Sequence, residues 1–356
     1  MKRSLHHTFG GFFSTATTLM SGFGRGAGIR RPQSEKQGLE IWKLSKIHLW
    51  AVAAVLPLLL SAQAVPQRAA EPADPAAAAS AAFQPCLPIR AAFYYPWYPG
   101  HWGEGHVERP VLGEYRSTDT TVIDWHLAWA KYAHLDAYVT SWWGRNDSFG
   151  TDAALPVLLQ RTTQGDAYPD LRWSVYYEME SVTDPTPSEI ASDLRYLLRR
   201  AFNSPAYLRY AGAPVIFVYG AGPDVSARWQ AAKALYGRPL VVVLQVYDGW
   251  QQDPNQPDAW HQYDPVEYMN GAAYPYSVSV SPGFQKPGEA PRLQRDSAAF
   301  ESAVQTMVAS NAPLQLVTTF SEWGEGTQVE PSWEHDPDEL YLDILRRNLP
   351  ESTCPR

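Results

Sequence analysis

Leu314-Gln315-Leu316-Val317-Thr318-Thr319-Phe320-Ser321-Glu322-Trp323-Gly324-Glu325-Gly326-Thr327-Gln328-Val329-Glu330-Pro331 reads as an apolar, β-branched run that climbs out of a core and breaks at glycines. Two carboxylates and an indole stand where the run ends. Other strand-like runs close in the same way. Polar and aromatic clusters follow them at Tyr94-Tyr95-Pro96-Trp97-Tyr98, Ser141-Trp142-Trp143-Gly144, Tyr176-Tyr177-Glu178, Val218-Tyr219-Gly220 and Gln245-Val246-Tyr247-Asp248. Function gathered at strand C-termini is the habit of a (β/α)8 barrel. An open doubly wound sheet would carry a Gly-rich phosphate turn after its first strand, and none follows Tyr95.

The rest of the chain after residue 86 alternates accordingly. Strands are expected at Ile89–Tyr95, Ala137–Trp142, Leu171–Tyr177, Pro214–Tyr219, Leu240–Tyr247, near Pro265–Tyr268, at Ser277–Ser281 and at Leu314–Phe320. Helical spacing predicts helices at Val122–His134, Ala153–Arg161, Ser188–Phe202 (with Pro187 at its start), Ala227–Leu235, Ser297–Ser310 and Pro337–Asn348. The fold expected is α/β, a single (β/α)8 TIM barrel over residues 86–350, with a C-terminal tail at 351–356.

Residues 1–64 form an N-terminal extension of a different kind. Lys43 and Lys46 precede the apolar stretch Leu49–Leu60, and Ala62-Gln63-Ala64 follows, the layout of a secretory signal cleaved after Ala64. The stretch is short for a membrane span of ~20 residues; an uncleaved N-terminal anchor is the alternative. The protein is therefore expected to be secreted or displayed at the cell surface, touching a membrane only through that segment. Residues 65–85, rich in Ala and Pro, read as a disordered tether. The first 64 residues hold eight of the 29 Lys/Arg and two of the 37 Asp/Glu, which leaves 21 against 35 and a net charge of −14 on the remainder. Such a balance argues against a nucleic-acid partner, since phosphate binding needs a cationic face. No protein partner is implied.

The chain is 45% hydrophobic and holds 14 Trp and 20 Tyr, enough for both a large core and an aromatic-lined cleft. Carboxylate pairs beside aromatic platforms suit glycoside hydrolysis, in which one carboxyl holds a proton while the other stays charged. Residues i and i+3 of a straight strand point to opposite faces about 10 Å apart. Glu322 and Glu325 can share one substrate only if the chain turns between them, a turn expected at Gly324. A solvated Glu-x-x-Glu loop is the plain alternative. The buried run before it, the flanking glycines and Trp323 argue against that.

Phe93-Tyr94-Tyr95-Pro96-Trp97-Tyr98, His101-Trp102, Ser141-Trp142-Trp143-Gly144 and Glu322-Trp323-Gly324-Glu325-Gly326-Thr327-Gln328-Val329-Glu330 together resemble glycoside hydrolase family 99, the endo-acting α-mannosidases and α-mannanases. The family pattern Asn-Glu-Trp-His-Glu-Gly-Thr-Gln is departed from at Ser321 and Gly324, while both glutamates and the tryptophan remain. The resemblance implies a retaining mechanism. Glu322 would act as base on the sugar's own 2-hydroxyl, giving a 1,2-anhydro sugar, and Glu325 would protonate the leaving oxygen and then activate water. Internal attack needs O2 anti to the leaving oxygen, as in an α-mannoside and not in an α-glucoside. Glu325 should then be raised in pKa against apolar surface such as Trp323 or Trp142, with Glu322 ionised and accepting hydrogen bonds.

Substrate contacts are expected from Tyr94, Tyr95, Trp97, His101, Trp102, Trp142, Trp143, Glu178, Tyr219, Tyr247 and Trp323, although strand alternation lets only one of Tyr94 and Tyr95 face inward. His101, Glu104 and His106 lie in a Gly-rich loop with no helix to fix a ligand geometry, so neither metal nor cofactor is expected. Another glycan, such as α-1,3-glucan, and a non-catalytic sugar-binding barrel are the competing readings. Cys86 and Cys354, the only cysteines, flank the barrel. The last helix of such a barrel returns to the face where the first strand begins, so a Cys86–Cys354 disulfide is expected in an exported protein.

Overall fold

A computed structural model of the chain describes residues 87–164, 168, 170–266, 273–334 and 340–351. The expected signal, tether and Cys86–Cys354 disulfide lie outside the described residues. No helix among the described residues is long and apolar enough to cross a membrane.

Eight parallel strands form a nearly closed barrel. They are β1 (Ile89–Tyr94), β2 (Ala137–Trp142), β3 (Arg172–Tyr177), β5 (Ala213–Val218), β6 (Val241–Gln245), β7 (Ala259–His261), β8 (Ser277–Val280) and β9 (Leu314–Val317). The two-residue β4 (Arg209–Tyr210) pairs antiparallel with β5. The hydrogen-bonded order is β7-β6-β5-β3-β2-β1-β9-β8. Across the remaining seam the Ser279 hydroxyl donates to the Gln262 carbonyl at 2.8 Å.

Six α-helices are described: α1 (Thr120–Tyr132), α2 (Thr151–Thr163), α3 (Pro187–Leu197), α4 (Pro223–Tyr236), α5 (Ser297–Ala309) and α6 (Leu340–Asn348). The local sequence explains α3 well. Thr186 and Glu189 form a capping box, Pro187 occupies the first turn, and Ile190, Ala191, Leu194 and Leu197 bury one face. The expected Ser188–Phe202 helix finishes as a π-turn at Leu198–Phe202. From β6 to β7 the crossing holds only a short 3-10 turn, Trp250–Gln252.

The sixth barrel strand is Ala259–His261, ahead of the expected Pro265–Tyr268, of which only Pro265 and Val266 are described, in a turn. Its three residues sit between polar segments and offer too short an alternation to mark a strand, yet they pair with β6 through Val243, Leu244 and Gln245. The last strand also stops early, at Val317 rather than Phe320.

Alternation along the strands builds two apolar layers. Ala91, Phe93, Val139, Tyr176, Phe217 and Leu316 fill the barrel interior. Ala92, Tyr94, Tyr138, Trp173, Val218 and Leu244 face the helices and meet Ile123, Leu127, Ile190, Leu194 and Trp229. The period-two register continues past the strand ends, and it decides which of the following side chains look into the mouth of the barrel.

Candidate active site

At the strand C-terminal mouth lies a cleft with a cavity volume of ≈ 440 Å³. Its walls are the residues that continue the inward register: Tyr95 after β1, Trp143 after β2, Glu178 after β3, Tyr219 after β5 and Tyr263 after β7. The segment between β8 and α5 adds Lys286, Pro287 and Glu289, and the turn after β9 adds Glu322, Gly324 and Glu325. Trp97, His101 and Glu104 complete the rim. The Trp97 and His101 rings stack with centroids 4.0 Å apart, and His101 Nδ1 lies 3.3 Å from Glu104 Oε2.

The chain carrying Glu322 and Glu325 is held on all sides. The Phe320 N–H donates to the Phe93 carbonyl at 2.7 Å, so the backbone still follows β1 after β9 has ended. The Tyr98 hydroxyl donates to the Ser321 carbonyl and accepts the Trp323 N–H, both at 3.1 Å. The Ser321 hydroxyl accepts the Tyr95 N–H at 3.1 Å. The Thr319 hydroxyl accepts the Glu322 N–H at 2.9 Å, and the Gln285 N–H donates to the Glu325 carbonyl at 2.8 Å. Beneath the turn, Trp323 Nε1 donates to Glu330 at 2.9 Å; Glu330 also accepts from Tyr115 at 2.7 Å and lies 3.1 Å from His126 Nε2.

The turn itself differs from expectation. Gly326, with φ 60°, is the position whose backbone calls for glycine, and a Cβ there would meet the Gln285 carbonyl at 2.7 Å. Gly324 has no left-handed φ. It contributes closeness instead, because its N–H donates to Glu322 Oε1 at 3.0 Å and a Cβ would stand 3.1 Å from that oxygen.

Three carboxyls share the cleft, and burial shifts each upward. Burial pushes Glu322 well above the usual carboxylate range; neighbouring Glu325 adds to the push, and the Gly324 and Glu325 N–H groups oppose it. Burial also raises Glu325, while Lys286, whose Nζ lies 3.6 Å from Glu325 Oε1, pulls it back together with Arg292. Glu178 is raised by burial to about 8, lowered by the Ser141 hydroxyl and raised by Glu325. Ser141 donates to Glu178 Oε1 and accepts from Trp143 Nε1, both at 2.9 Å. The expected charge on Glu322 is opposed by its burial, while the cation of the cleft, Lys286, sits beside Glu325.

Of the expected contacts, Tyr95, Trp97, His101, Trp143, Glu178 and Tyr219 line this cleft with the two glutamates. Tyr94 does not. It points into the helix layer, against His126, Tyr138, Trp173 and Phe320, as the alternation with Tyr95 requires. Trp142 is likewise outward, donating to Asp152 at 3.0 Å, so Trp143 and not Trp142 reaches the cleft. Trp102 and Trp323 are buried below the floor with Tyr98 and Tyr115. Tyr247 faces an adjoining cavity. His106 turns to the Glu108 carbonyl and Glu114 and takes no part in the cleft.

Tyr263, Lys286 and Glu289 were missed. Tyr263 stands two residues after β7 and would have been found by alternation had that strand been placed correctly. Lys286 and Glu289 come from an irregular segment that carries no periodic signal.

A family model described as Glycosyl hydrolase family 99 matches residues 103–251. The chain is 22% identical to the glycoprotein endo-alpha-1,2-mannosidase of Rattus norvegicus, over 72% of this chain and 73% of that one. It is also 22% identical to a glycoprotein endo-alpha-1,2-mannosidase-like protein of Homo sapiens, over 71% of each. The solved GH99 endo-alpha-mannosidase from Bacteroides thetaiotaomicron aligns with TM-score 0.60 at 17% identity, covering 73% of this chain and 96% of that one. A solved glycoside hydrolase-like protein aligns with TM-score 0.55 at 18% identity, over 74% and 96%. The chain is thus similar to glycosyl hydrolase family 99, most directly over residues 103–251, and these likenesses support a glycoside hydrolase.

Proposed function

We propose that this is an exported, retaining, endo-acting hydrolase of α-mannose-containing glycans that works through a 1,2-anhydro sugar. The observation that carries the reading is the joint presence of Glu322 and Glu325 on one cleft, three residues apart on a turn that Gly326 permits. The names of the relatives, endo-alpha-1,2-mannosidases, support the substrate class. The basic flank and Ala62-Gln63-Ala64 site of the N-terminal segment support export.

In the first step the Glu322 carboxylate takes the proton of the sugar 2-hydroxyl. O2 attacks C1, the C1–O bond to the leaving sugar breaks, and Glu325 gives that oxygen its proton. In the second step the Glu325 carboxylate takes a proton from water, the water oxygen attacks C1, the C1–O2 bond opens, and O2 recovers its proton from Glu322. Each carboxyl ends as it began, and two displacements at C1 give net retention. The geometry suits an α-mannoside, whose O2 is anti to the leaving oxygen.

The cycle starts with Glu322 charged and Glu325 protonated. Substrate supplies the missing bias, since a 2-hydroxyl donating to Glu322 favours its charged form. Protonated Glu178 in turn offers a hydroxyl acceptor a donor, in a site already fixed by Ser141 and Trp143.

The test is turnover of α-mannans and manno-oligosaccharides by the wild type and by Glu322→Gln and Glu325→Gln. Each substitution is expected to cost several orders of magnitude in kcat with an unchanged melting temperature. Near-wild-type turnover by Glu325→Gln would remove the acid assignment. Turnover of α-glucans in preference to α-mannans would remove the substrate class.

A further inference from the structure

The loop that carries Glu322 and Glu325 is closed at its base. The Thr319 N–H donates to the Thr327 carbonyl at 2.8 Å, the Val329 N–H to the Thr319 carbonyl at 2.9 Å, and the Glu330 N–H to the Phe320 carbonyl at 2.9 Å. These bonds seat Glu330 in the returning arm. Its side chain reaches back to the indole of Trp323, the residue that follows Glu322 and precedes Gly324-Glu325.

Glu330 Oε2 takes two donors, Trp323 Nε1–H at 2.9 Å and the Tyr115 hydroxyl at 2.7 Å. Oε1 lies 3.1 Å from His126 Nε2, and His126 Nδ1 lies 3.0 Å from the Tyr94 hydroxyl. With Tyr94 donating to Nδ1, His126 keeps its proton on Nε2 for Glu330, and the chain of donors is unbroken. The Tyr138 hydroxyl donates to the His126 carbonyl at 2.7 Å and steadies the ring's backbone. Tyr94 belongs to β1 and His126 to α1, so one carboxylate ties the loop to the barrel wall and to the helix layer. Glu330, His126 and Trp323 are all buried, and none of them lines the cleft.

Burying a carboxylate is costly, and a well-packed apolar side chain fills such a space as well or better. What an apolar side chain could not do is accept the indole N–H. The Trp323 backbone is held separately, its N–H donating to the Tyr98 hydroxyl at 3.1 Å. Backbone and side chain of Trp323 are thus fixed by different partners, and a displaced indole would carry both neighbouring glutamates with it.

We propose that Glu330 is a positioning residue: it holds the Trp323 indole from below the turn and so sets where Glu322 and Glu325 stand in the cleft, without touching substrate. The inference rests on the hydrolytic reading for what those two carboxyls do, while the hold on the indole is measured apart from it.

Two measurements on the intact protein test this. Solvent exchange of the Trp323 indole N–H is followed by NMR with isotope-labelled tryptophan, its signal being the one lost in Trp323→Phe. In Glu330→Leu that exchange should quicken at least about tenfold as the turn loosens. On an α-manno-oligosaccharide kcat should fall at least about thirtyfold with KM within about twofold, since a misplacement of about 1 Å costs up to roughly a hundredfold. Glu330→Gln should recover most of both losses, because its amide oxygen still accepts from Trp323 and Tyr115 and His126 can take its other tautomer. Trp323→Phe should lower kcat as well, and the double variant should lose no more than the worse single one. A merely structural role would lower melting temperature and leave kcat per folded molecule in place. Should Glu330→Leu not fold, Trp323→Phe carries the kcat arm, and an unchanged kcat there overturns the inference. Unchanged exchange and kcat in Glu330→Leu, or fully additive losses in the double variant, would overturn it too. Faster exchange alongside a wild type that cleaves nothing would sustain the hold on the turn and sink the hydrolytic reading. Faster exchange with kcat intact would sink the positioning role and leave that reading standing.

Discussion

Lys286 gives Glu325 a property that burial alone would not. A carboxyl that must first donate and later accept a proton works best with its pKa near the working pH. Burial raises Glu325, and the ammonium 3.6 Å away opposes the rise. Glu322, Glu178 and Arg292 also act on this group or its neighbours. In Lys286→Met the Glu325 pKa should climb, so the alkaline limb of the kcat–pH profile, where the acid loses its proton, should move to higher pH. A limb that stays put or moves down would contradict this role. Glu178 makes a separate prediction about stability. Its folded pKa, about 8, lies above its unfolded value, so the folded state binds the extra proton between about 4.5 and 8. Stability from this group is present below that window and lost as pH rises through it. Melting temperature should fall from pH 5 to pH 8, and Glu178→Gln should flatten part of the fall; an identical slope in the variant would refute it. Such individual roles were partly readable in advance. Glu322, Glu325 and Glu178 announce themselves by following apolar runs. Tyr94 against Tyr95 and Trp142 against Trp143 could not be settled without the register that turns one of each pair outward.

The turn after β9 depends on segments far from it in sequence. Arg295, just before α5, donates to the carbonyls of Gly326 and Gln328 at 3.1 and 3.0 Å. Its Nε lies 3.0 Å from Glu108 Oε1, a charge contact rather than a directed hydrogen bond. Glu108 in turn accepts from Gln328 at 3.0 Å and Ser332 at 2.6 Å. Arg295 and Glu108 are both buried, 8% and 2% exposed at the side chain, so removing Arg295 takes a close cation away from a buried carboxylate. Arg295→Met should cost about 3–5 kcal/mol of stability, seen as a large drop in melting temperature. The surviving folded enzyme should also lose kcat through a loosened Glu325. A drop too small to resolve would show that the pair is dispensable. Sequence reading found the turn and missed its supports, because partners thirty to two hundred residues apart leave no local pattern. It also displaced the sixth strand, for the related reason that three residues are enough to pair with β6 but too few to show a period.

The barrel as a whole was the most readable feature, since it rests on a habit repeated at many strand ends and not on any one element. Both described ends of the chain reach the opposite, strand N-terminal face. The Asp136 N–H donates to the Arg90 carbonyl at 2.7 Å, and the Leu349 carbonyl lies 2.7 Å from His134 Nδ1. Cys86 and Cys354 follow closely beyond those ends in sequence. The protein produced through an oxidising export route and denatured without reductant is therefore expected to show no free thiol; two titratable thiols would exclude the bridge. The central claim concerns what the opposite face does. It is tested most directly by following the anomers released from an α-manno-oligosaccharide by proton NMR from the first seconds of reaction. The mechanism drawn from Glu322 and Glu325 predicts that the α-anomer appears first and the β-anomer only later, by mutarotation. Initial release of the β-anomer would contradict it.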